Sequence, residues 1–313
     1  MKKTLLTICL VWMCFSLSAQ KIIDLSGKWS FSIDRQDNGE KEKWFSHTLN
    51  DFINLPGSMP EKLKGDEVTA KTQWTGSLYD SSYYYNPYME KYRKEGNIKF
   101  PFFLTPDKHY VGAAWYQKEV NIPADWKGER ILLFLERPHI ETTVWVNRQK
   151  TGMQNSLCVP HQYDITRYVR PGKCTITIRV DNRIKEINVG PDSHSITDQT
   201  QGNWNGIVGR ICLQTTPKTY FDDIQIYPEP EQKLARVKVV IKGTGTAKVK
   251  LSAESFNTDK KHIVPAIQQE IKLNKGVTET EMVLPMGNDM LLWDEFHPAL
   301  YKLKAEVTNG KKN

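Results

Sequence analysis

Little in this sequence suits metal or redox chemistry. Five cysteines are spread through 313 residues, no Cys-x-x-Cys pair occurs, and the seven histidines (His47, His109, His139, His161, His194, His262 and His297) show neither His-x-His nor His-Glu-x-x-His spacing. Zinc and dithiol readings are set aside, and no metal or cofactor is expected, although calcium held by backbone carbonyls would leave no sequence mark. Basic runs are missing too. Lys and Arg number 43 against 36 Asp and Glu, and the nearest clusters, Lys260-Lys261 and Lys311-Lys312, are only pairs. No nucleic-acid partner is expected from so mild an excess. After Leu17 no apolar run approaches the roughly 20 residues of a membrane-spanning helix. No strand–helix–strand alternation appears either, which excludes a parallel sheet or (β/α)₈ barrel. Such a barrel needs about 250 residues, and 313 residues do not hold two further domains beside it.

What is present begins with a leader. Lys2 and Lys3, an apolar stretch from Leu5 to Leu17 and the small pair Ser18-Ala19 have the three parts of a secretory signal peptide, with cleavage expected after Ala19. An exported protein, periplasmic or extracellular and without a membrane span, is the expectation. Lipidation at Cys14 is disfavoured because Met13 stands where that signal wants a small side chain. Cys158, Cys174 and Cys212 remain, each beside apolar or β-branched neighbours, and read as small buried core residues. An odd number permits at most one internal disulfide.

Period-two alternation with β-branched and aromatic residues marks strands at Lys28–Ile33, Trp115–Ile122, Ile131–Leu135, Thr142–Val146, Thr175–Val180 and Ile211–Gln214. Further runs lie at Ala235–Lys242, Ala247–Ser255, His262–Leu273, Thr278–Leu284 and Tyr301–Val307. The best helical signal is Asn86-Pro87 opening Tyr88–Glu95 before Gly96. Composition shifts after Pro217, from Trp- and Tyr-rich loops to a Lys/Val/Thr meander whose one tryptophan is Trp293. The expectation is all-β: a sandwich over residues 20–217 and a second, of immunoglobulin-like size, over residues 218–313.

Particular blocks carry a family resemblance. Leu25-Ser26-Gly27-Lys28-Trp29, Leu55-Pro56-Gly57-Ser58, Gly112-Ala113-Ala114-Trp115-Tyr116, Thr143-Val144-Trp145-Val146-Asn147, Arg179-Val180-Asp181-Asn182-Arg183 and Gly206-Ile207-Val208-Gly209-Arg210 stand in order. They resemble the jelly-roll, galactose-binding-like sugar-binding domain of glycoside hydrolase family 2. Leu292-Trp293 through Pro298-Ala299-Leu300-Tyr301 is similar to a segment of that family's immunoglobulin-like second domain. The resemblance implies exo-acting, retaining hydrolysis of a terminal sugar by two glutamates on a third domain, a catalytic TIM barrel. Neither glutamate has a counterpart here. The immunoglobulin-like domain is expected to lack its last strand, and the chain to be inactive alone.

The resemblance also marks Asp181 as similar to an aspartate that some members project toward the barrel's active site. Asp181 then accepts sugar hydroxyls, or Asp181-Asn182 is a turn that ends a strand. The loop Gly190–Asn205, with Trp204 near its end, is the other candidate to reach substrate. Trp74, Tyr84 and their aromatic neighbours Tyr79, Tyr83, Tyr85, Tyr88 and Tyr92 suit sugar stacking, packing on their own sandwich, or docking to the missing domain. Candidate substrate-binding residues are therefore Asp181, Asn182, Trp204, Trp74 and Tyr84. The carboxylate pairs Glu136 and Glu141, Asp222 and Asp223, and Asp294 and Glu295 give weak catalytic signals, the last two pairs reading as turns. Three functions compete: the non-catalytic portion of an exported family 2 hydrolase, a stand-alone carbohydrate-binding module, and a truncated product without independent activity.

Overall fold

The computed structural model describes residues 21–76, 81–185 and 193–309. The proposed leader, Tyr79 and the start of the Gly190–Asn205 loop lie outside them. The chain divides into two compact units at Thr215/Thr216. No helix among the described residues is long and apolar enough to cross a membrane.

The first unit contains strands β1 (Ile22–Asp24), β2 (Gly27–Asp34), β3 (Asp51–Leu55), β4 (Gly57–Ser58), β5 (Asp66–Glu67), β6 (Lys108–His109), β7 (Ala113–Ile122), β8 (Arg130–His139), β9 (Glu141–Val146), β10 (Gln149–Asn155), β11 (His161–Asp164), β12 (Gly172–Asp181) and β13 (Gly206–Thr216). One sheet runs β1-β13-β8-β11 with β4 beside β13, and the other runs β10-β9-β12-β7-β2-β3. Every pairing is antiparallel. This is the jelly-roll sandwich. Its core takes the inward residues of both sheets, among them Trp29, Phe31, Tyr116, Leu133, Leu135, Val144, Ile178 and Leu213. Burying one such side chain stabilises by about 1.5–3 kcal/mol.

The six-stranded sheet is covered on its other face around Trp115 of β7 and Trp145 of β9. Trp115 and Trp145 stack there, 4.9 Å between ring centroids, beneath Trp44, Phe45 and Leu49. For that reason all six residues of β9 are buried.

The segment between β5 and β6 holds the aromatic insertion. Its helix α1 (Ser82–Tyr85) is one turn long. The helix expected over Tyr88–Glu95 is instead a 3₁₀ segment, Pro87–Tyr92, which the Asn86 side chain caps by accepting the Tyr88 N–H. Trp74, Tyr83, Phe100 and Phe102 pack on one another with centroids 4.8–5.5 Å apart.

The second unit is built on two long strands, β15 (Leu234–Phe256) and β16 (Ile263–Pro285), with β14 (Tyr220–Glu229) and β17 (Leu300–Asn309). Strand β14 pairs with the first half of β15 and β17 with the second half, while β16 follows the whole length on the other edge. The ladder steps between Gly243 and Gly245. At that step Gly245 takes φ +87°, a conformation glycine adopts without strain. The two halves enclose an aliphatic core of Val237, Val239, Ile241, Val249, Leu251 and Met282, an immunoglobulin-like sandwich.

Three readings of the sequence need correction. Asp222 and Asp223 lie on strand β14, not in a turn. The runs read as four strands between Ala235 and Leu284 are two bent ones. Cys158 is exposed while Cys174 and Cys212 are buried, and all three are free thiols.

Candidate functional site

Strand β12 ends at Asp181 between Ala113 of β7 and Glu141 of β9. That register gathers six charges. The fully buried Asp181 carboxylate accepts from Arg179 Nη2 at 2.9 Å, Arg183 Nε at 2.9 Å, the Arg183 backbone N–H at 3.0 Å and Lys185 Nζ at 2.8 Å. Arg179 also donates to Asp37 at 2.6 Å and Glu141 at 3.2 Å, and Lys185 donates to Glu141 at 3.0 Å. Three cations therefore meet three carboxylates. Burial alone would raise the Asp181 pKa, but the hydrogen bonds from Arg183 and Lys185 outweigh it and hold the group well below the usual carboxylate range. As arranged, a sugar hydroxyl would have to displace one of these cations. Asn182 is likewise occupied, accepting the Gly112 N–H at 2.8 Å and donating to the Tyr110 carbonyl at 2.9 Å.

A second cluster lies next to the first. It joins the segment before the aromatic insertion to the end of the Gly190–Asn205 loop. Asp198 is buried and accepts the Thr75 N–H at 2.6 Å and the Asn203 N–H at 2.8 Å. Burial outweighs these bonds and raises its pKa, the one carboxylate shifted upward among the described residues. Asn203 Nδ2 donates to Thr75 Oγ1 at 2.9 Å and to the Asn182 carbonyl at 3.0 Å. Asn205 fastens the loop to the sandwich: it accepts from Tyr116 Oη at 2.7 Å and donates to the carbonyls of Gly112 and Val180 at 2.8 and 2.9 Å.

Two aromatic residues flank this cluster. Trp204 lies over the buried His139 ring, 4.5 Å between centroids and 24° between planes. Trp74 meets His109 at 4.6 Å. Burial pushes the His139 pKa down to about 4, with Asn203 acting the other way, so the ring is neutral at pH 7. His109 Nε2 lies 3.1 Å from the Gln73 carbonyl.

Six buried side-chain polar atoms among the described residues have no partner, and four are here: Trp74 Nε1, His109 Nδ1, His139 Nε2 and Asn203 Oδ1. An unpaired buried polar group costs about 1–3 kcal/mol, and two of the four belong to side chains that act on each other, since Asn203 raises the His139 pKa as a hydrogen-bond partner. They include a donor (Trp74 Nε1) and an acceptor (Asn203 Oδ1). A hydroxyl, which gives and takes a hydrogen bond, satisfies both kinds. All four are closed to solvent.

Of the residues expected at the site, Asn182, Trp74 and Trp204 meet around Asn203 directly or through a sequence neighbour, and Asp181 adjoins them through Asn182. Tyr84 stays apart, half exposed and edge-on to Tyr83 at 5.2 Å. Asp198, Asn203, His109 and His139 escaped the sequence reading. The signal available was Asn203-Trp204-Asn205 ahead of Gly206, with an Asp five residues before Asn203. No group of three or more His, Cys, Asp or Glu suited to a metal ion occurs among the described residues.

A jelly-roll sandwich followed by an immunoglobulin-like one defines a tandem all-β module. Residues 22–217 match the sugar-binding domain of the glycosyl hydrolases family 2, and residues 219–313 match a second domain of that family. The chain belongs to glycosyl hydrolases family 2. β-Glucuronidase of Homo sapiens is 24% identical over 91% of this chain and 41% of its own length. β-Galactosidase of Clostridium acetobutylicum is 24% identical over 93% of the chain and 29% of its own length. Among solved structures, β-glucuronidase of an uncultured Clostridium sp. superposes with a TM-score of 0.58 at 20% identity, covering 93% of this chain and 43% of that one. The chain thus spans less than half the length of these relatives.

Proposed function

We propose that this chain is the sugar-recognising, non-catalytic portion of an exported family 2 glycoside hydrolase. In this reading the two sandwiches position a terminal sugar, and the acid/base and nucleophile stand on a catalytic barrel outside them. The observation that carries it is the match of both family domains across residues 22–313 alongside coverage of only 41% of the human relative.

The carboxylates support the same division of labour. Retaining hydrolysis needs two carboxyl groups about 5–5.5 Å apart, one able to hold a proton near neutral pH. Asp181 is held ionised by three cations. Asp198 has both oxygens taken by backbone N–H groups. Neither suits proton transfer to a leaving group. The unpaired donor Trp74 Nε1 and acceptor Asn203 Oδ1 suit hydroxyl recognition, with Asp181 and Asn182 holding that end of the sandwich in shape. Tyr84, on the outward side of the aromatic insertion, is a candidate for contact with a sugar ring.

The test has two arms. The purified chain is mixed with aryl β-glucuronides and β-galactosides, and no product release is expected; turnover at enzyme-like rates would show the chemistry to be in this chain. Titration with glucuronic acid and galactose, followed through the Trp74 and Trp204 indole N–H signals, is expected to shift both for one of the sugars. Silence of both indoles for both sugars would remove the recognition role. For export, a cell expressing the whole chain should yield a mature N-terminus at Gln20, read by N-terminal sequencing of the exported fraction.

A further inference from the structure

We propose that the β3 edge of the jelly-roll sandwich carries a binding site for the acidic groups of a glycan. Lys28, Phe52, Ile53, Asn54, Lys62 and Lys64 line one cleft of about 300 Å³. That volume is at the lower end for ligand sites and fits a single charged sugar unit.

The cleft follows from the β2–β3 pairing. Strand β3 is the edge of its six-stranded sheet. Lys28 stands opposite Asn54 and Ser30 opposite Phe52, and period-two geometry puts Phe52 and Asn54 on one face. Phe52 is 47% exposed, although a strand buried on one face normally turns such a ring inward. The Lys28 ammonium sits 3.7 Å from the Phe52 ring centroid, and Lys28 has no acidic partner among the described residues. Lys118 Nζ donates to the Lys28 carbonyl at 3.0 Å and holds the backbone beneath it.

Lys62 and Lys64 come from the turn after β4. Its backbone closes on the Met59 carbonyl, which accepts from Lys62 N–H at 3.1 Å and Lys64 N–H at 2.8 Å. The Lys62 stem lies close over Gly57, where a Cβ would stand 2.7 Å from Lys62 Cε. Lys62 and Lys64 each have one acid, Glu61 and Asp51, both at 2.6 Å. Both acids are more than half exposed, whereas the two lysine side chains are about 30% and 26% exposed. Exposed pairs of this kind are worth roughly 0–1 kcal/mol, and an incoming anion can replace them. Three ammoniums against two weakly held acids leave the cleft cationic. An ammonium serves as a point charge for either carboxylate or sulfate, and the exposed edge of Phe52 offers an apolar surface to the sugar ring that carries it.

The intact chain is titrated at low salt with tetragalacturonic acid, a sulfated cellotetraose and neutral cellotetraose, with binding read by calorimetry and by the amide signals of Phe52 and Asn54. Saturable binding of at least one anionic probe and none of the neutral one is expected, and which anion binds separates carboxylate from sulfate recognition. Lys28→Ala, Lys62→Ala and Lys64→Ala should each weaken it about fivefold, and Glu61→Gln, which frees Lys62, should tighten it. If an alanine variant unfolds, its glutamine counterpart is read in its place. The proposal falls if neither anion binds, if neutral cellotetraose binds as well, if Glu61→Gln changes nothing, or if Lys248→Ala in the second unit weakens binding as much as Lys28→Ala.

Discussion

His139 and Asp181 show how single side chains set the response of this protein to acid. An unfolded histidine titrates near 6.5, whereas His139 is held down to about 4 by burial. Its folded pKa is depressed, so the unfolded state takes the proton first and stability falls as pH drops from about 6.5 toward 4. The full difference corresponds to about 3 kcal/mol. His139→Phe keeps a flat ring under Trp204 and removes the proton site. Its melting temperature is expected to vary less with pH across that window than that of the parent; equal slopes would place the sensitivity elsewhere. Asp181 acts lower on the scale. Its folded pKa is also depressed, so its contribution is present above the unfolded value of about 3.9 and is lost as pH falls below it. Asp181→Asn leaves Arg179, Arg183 and Lys185 facing two carboxylates, and breaking a buried ion pair in this way costs about 3–5 kcal/mol. Chemical denaturation at pH 7 should show that loss.

Among the elements, legibility followed whether the chain runs through a strand without a bulge or kink. Trp29, Phe31 and Ile33 alternate on β2 because its side chains turn alternately toward the core and away from it, and the strand could be read directly. Strand β14 could not, because an irregularity between Phe221 and Asp223 shifts the register and breaks the alternation. The acids Asp222 and Asp223 then looked like a turn. The bend in β15 at Gly243 and Gly245 looked like a gap between strands for a similar reason: glycine marks both turns and kinks. At the site, Trp74, Trp204 and Asn182 were legible as residue types with an obvious use. Asp198 and Asn203 were not, since their partners Thr75 and Asn182 are 123 and 21 residues away. Strand β17 supplies a prediction at this scale. It pairs only with β15 among the described residues, and Lys302 and Lys304 project from it as exposed charges. Lysines on an edge strand discourage pairing between molecules. Replacing both by threonine should increase self-association in sedimentation velocity, and an unchanged monomer fraction would show that β17 is not the vulnerable edge.

At the scale of the whole molecule, each unit carries its own apolar core. The first cluster runs from Leu25 to Leu213 with no residue beyond the unit boundary, and the main cluster of the second lies between Phe221 and Val307. A domain with a closed core of this kind can fold alone. The polar cluster belongs wholly to the first unit too: Asp198 is bonded to Thr75 and Asn203, and Asn205 to Tyr116, Gly112 and Val180. A fragment of residues 20–217 should therefore fold independently and reproduce the amide spectrum of that region in the full chain. It should also retain whatever sugar-dependent shift Trp74 and Trp204 show. Within this fragment, Asn205→Ala removes three buried hydrogen bonds, to the Tyr116 hydroxyl and to the Gly112 and Val180 carbonyls, and leaving the buried hydroxyl without that acceptor costs about 1–3 kcal/mol. It is expected to abolish the sugar response by releasing the loop, even at temperatures where the sandwich stays folded. A fragment that folds but loses the response without any substitution would mean that recognition depends on residues 218–313, and the assignment of the sugar site to the jelly roll would fail.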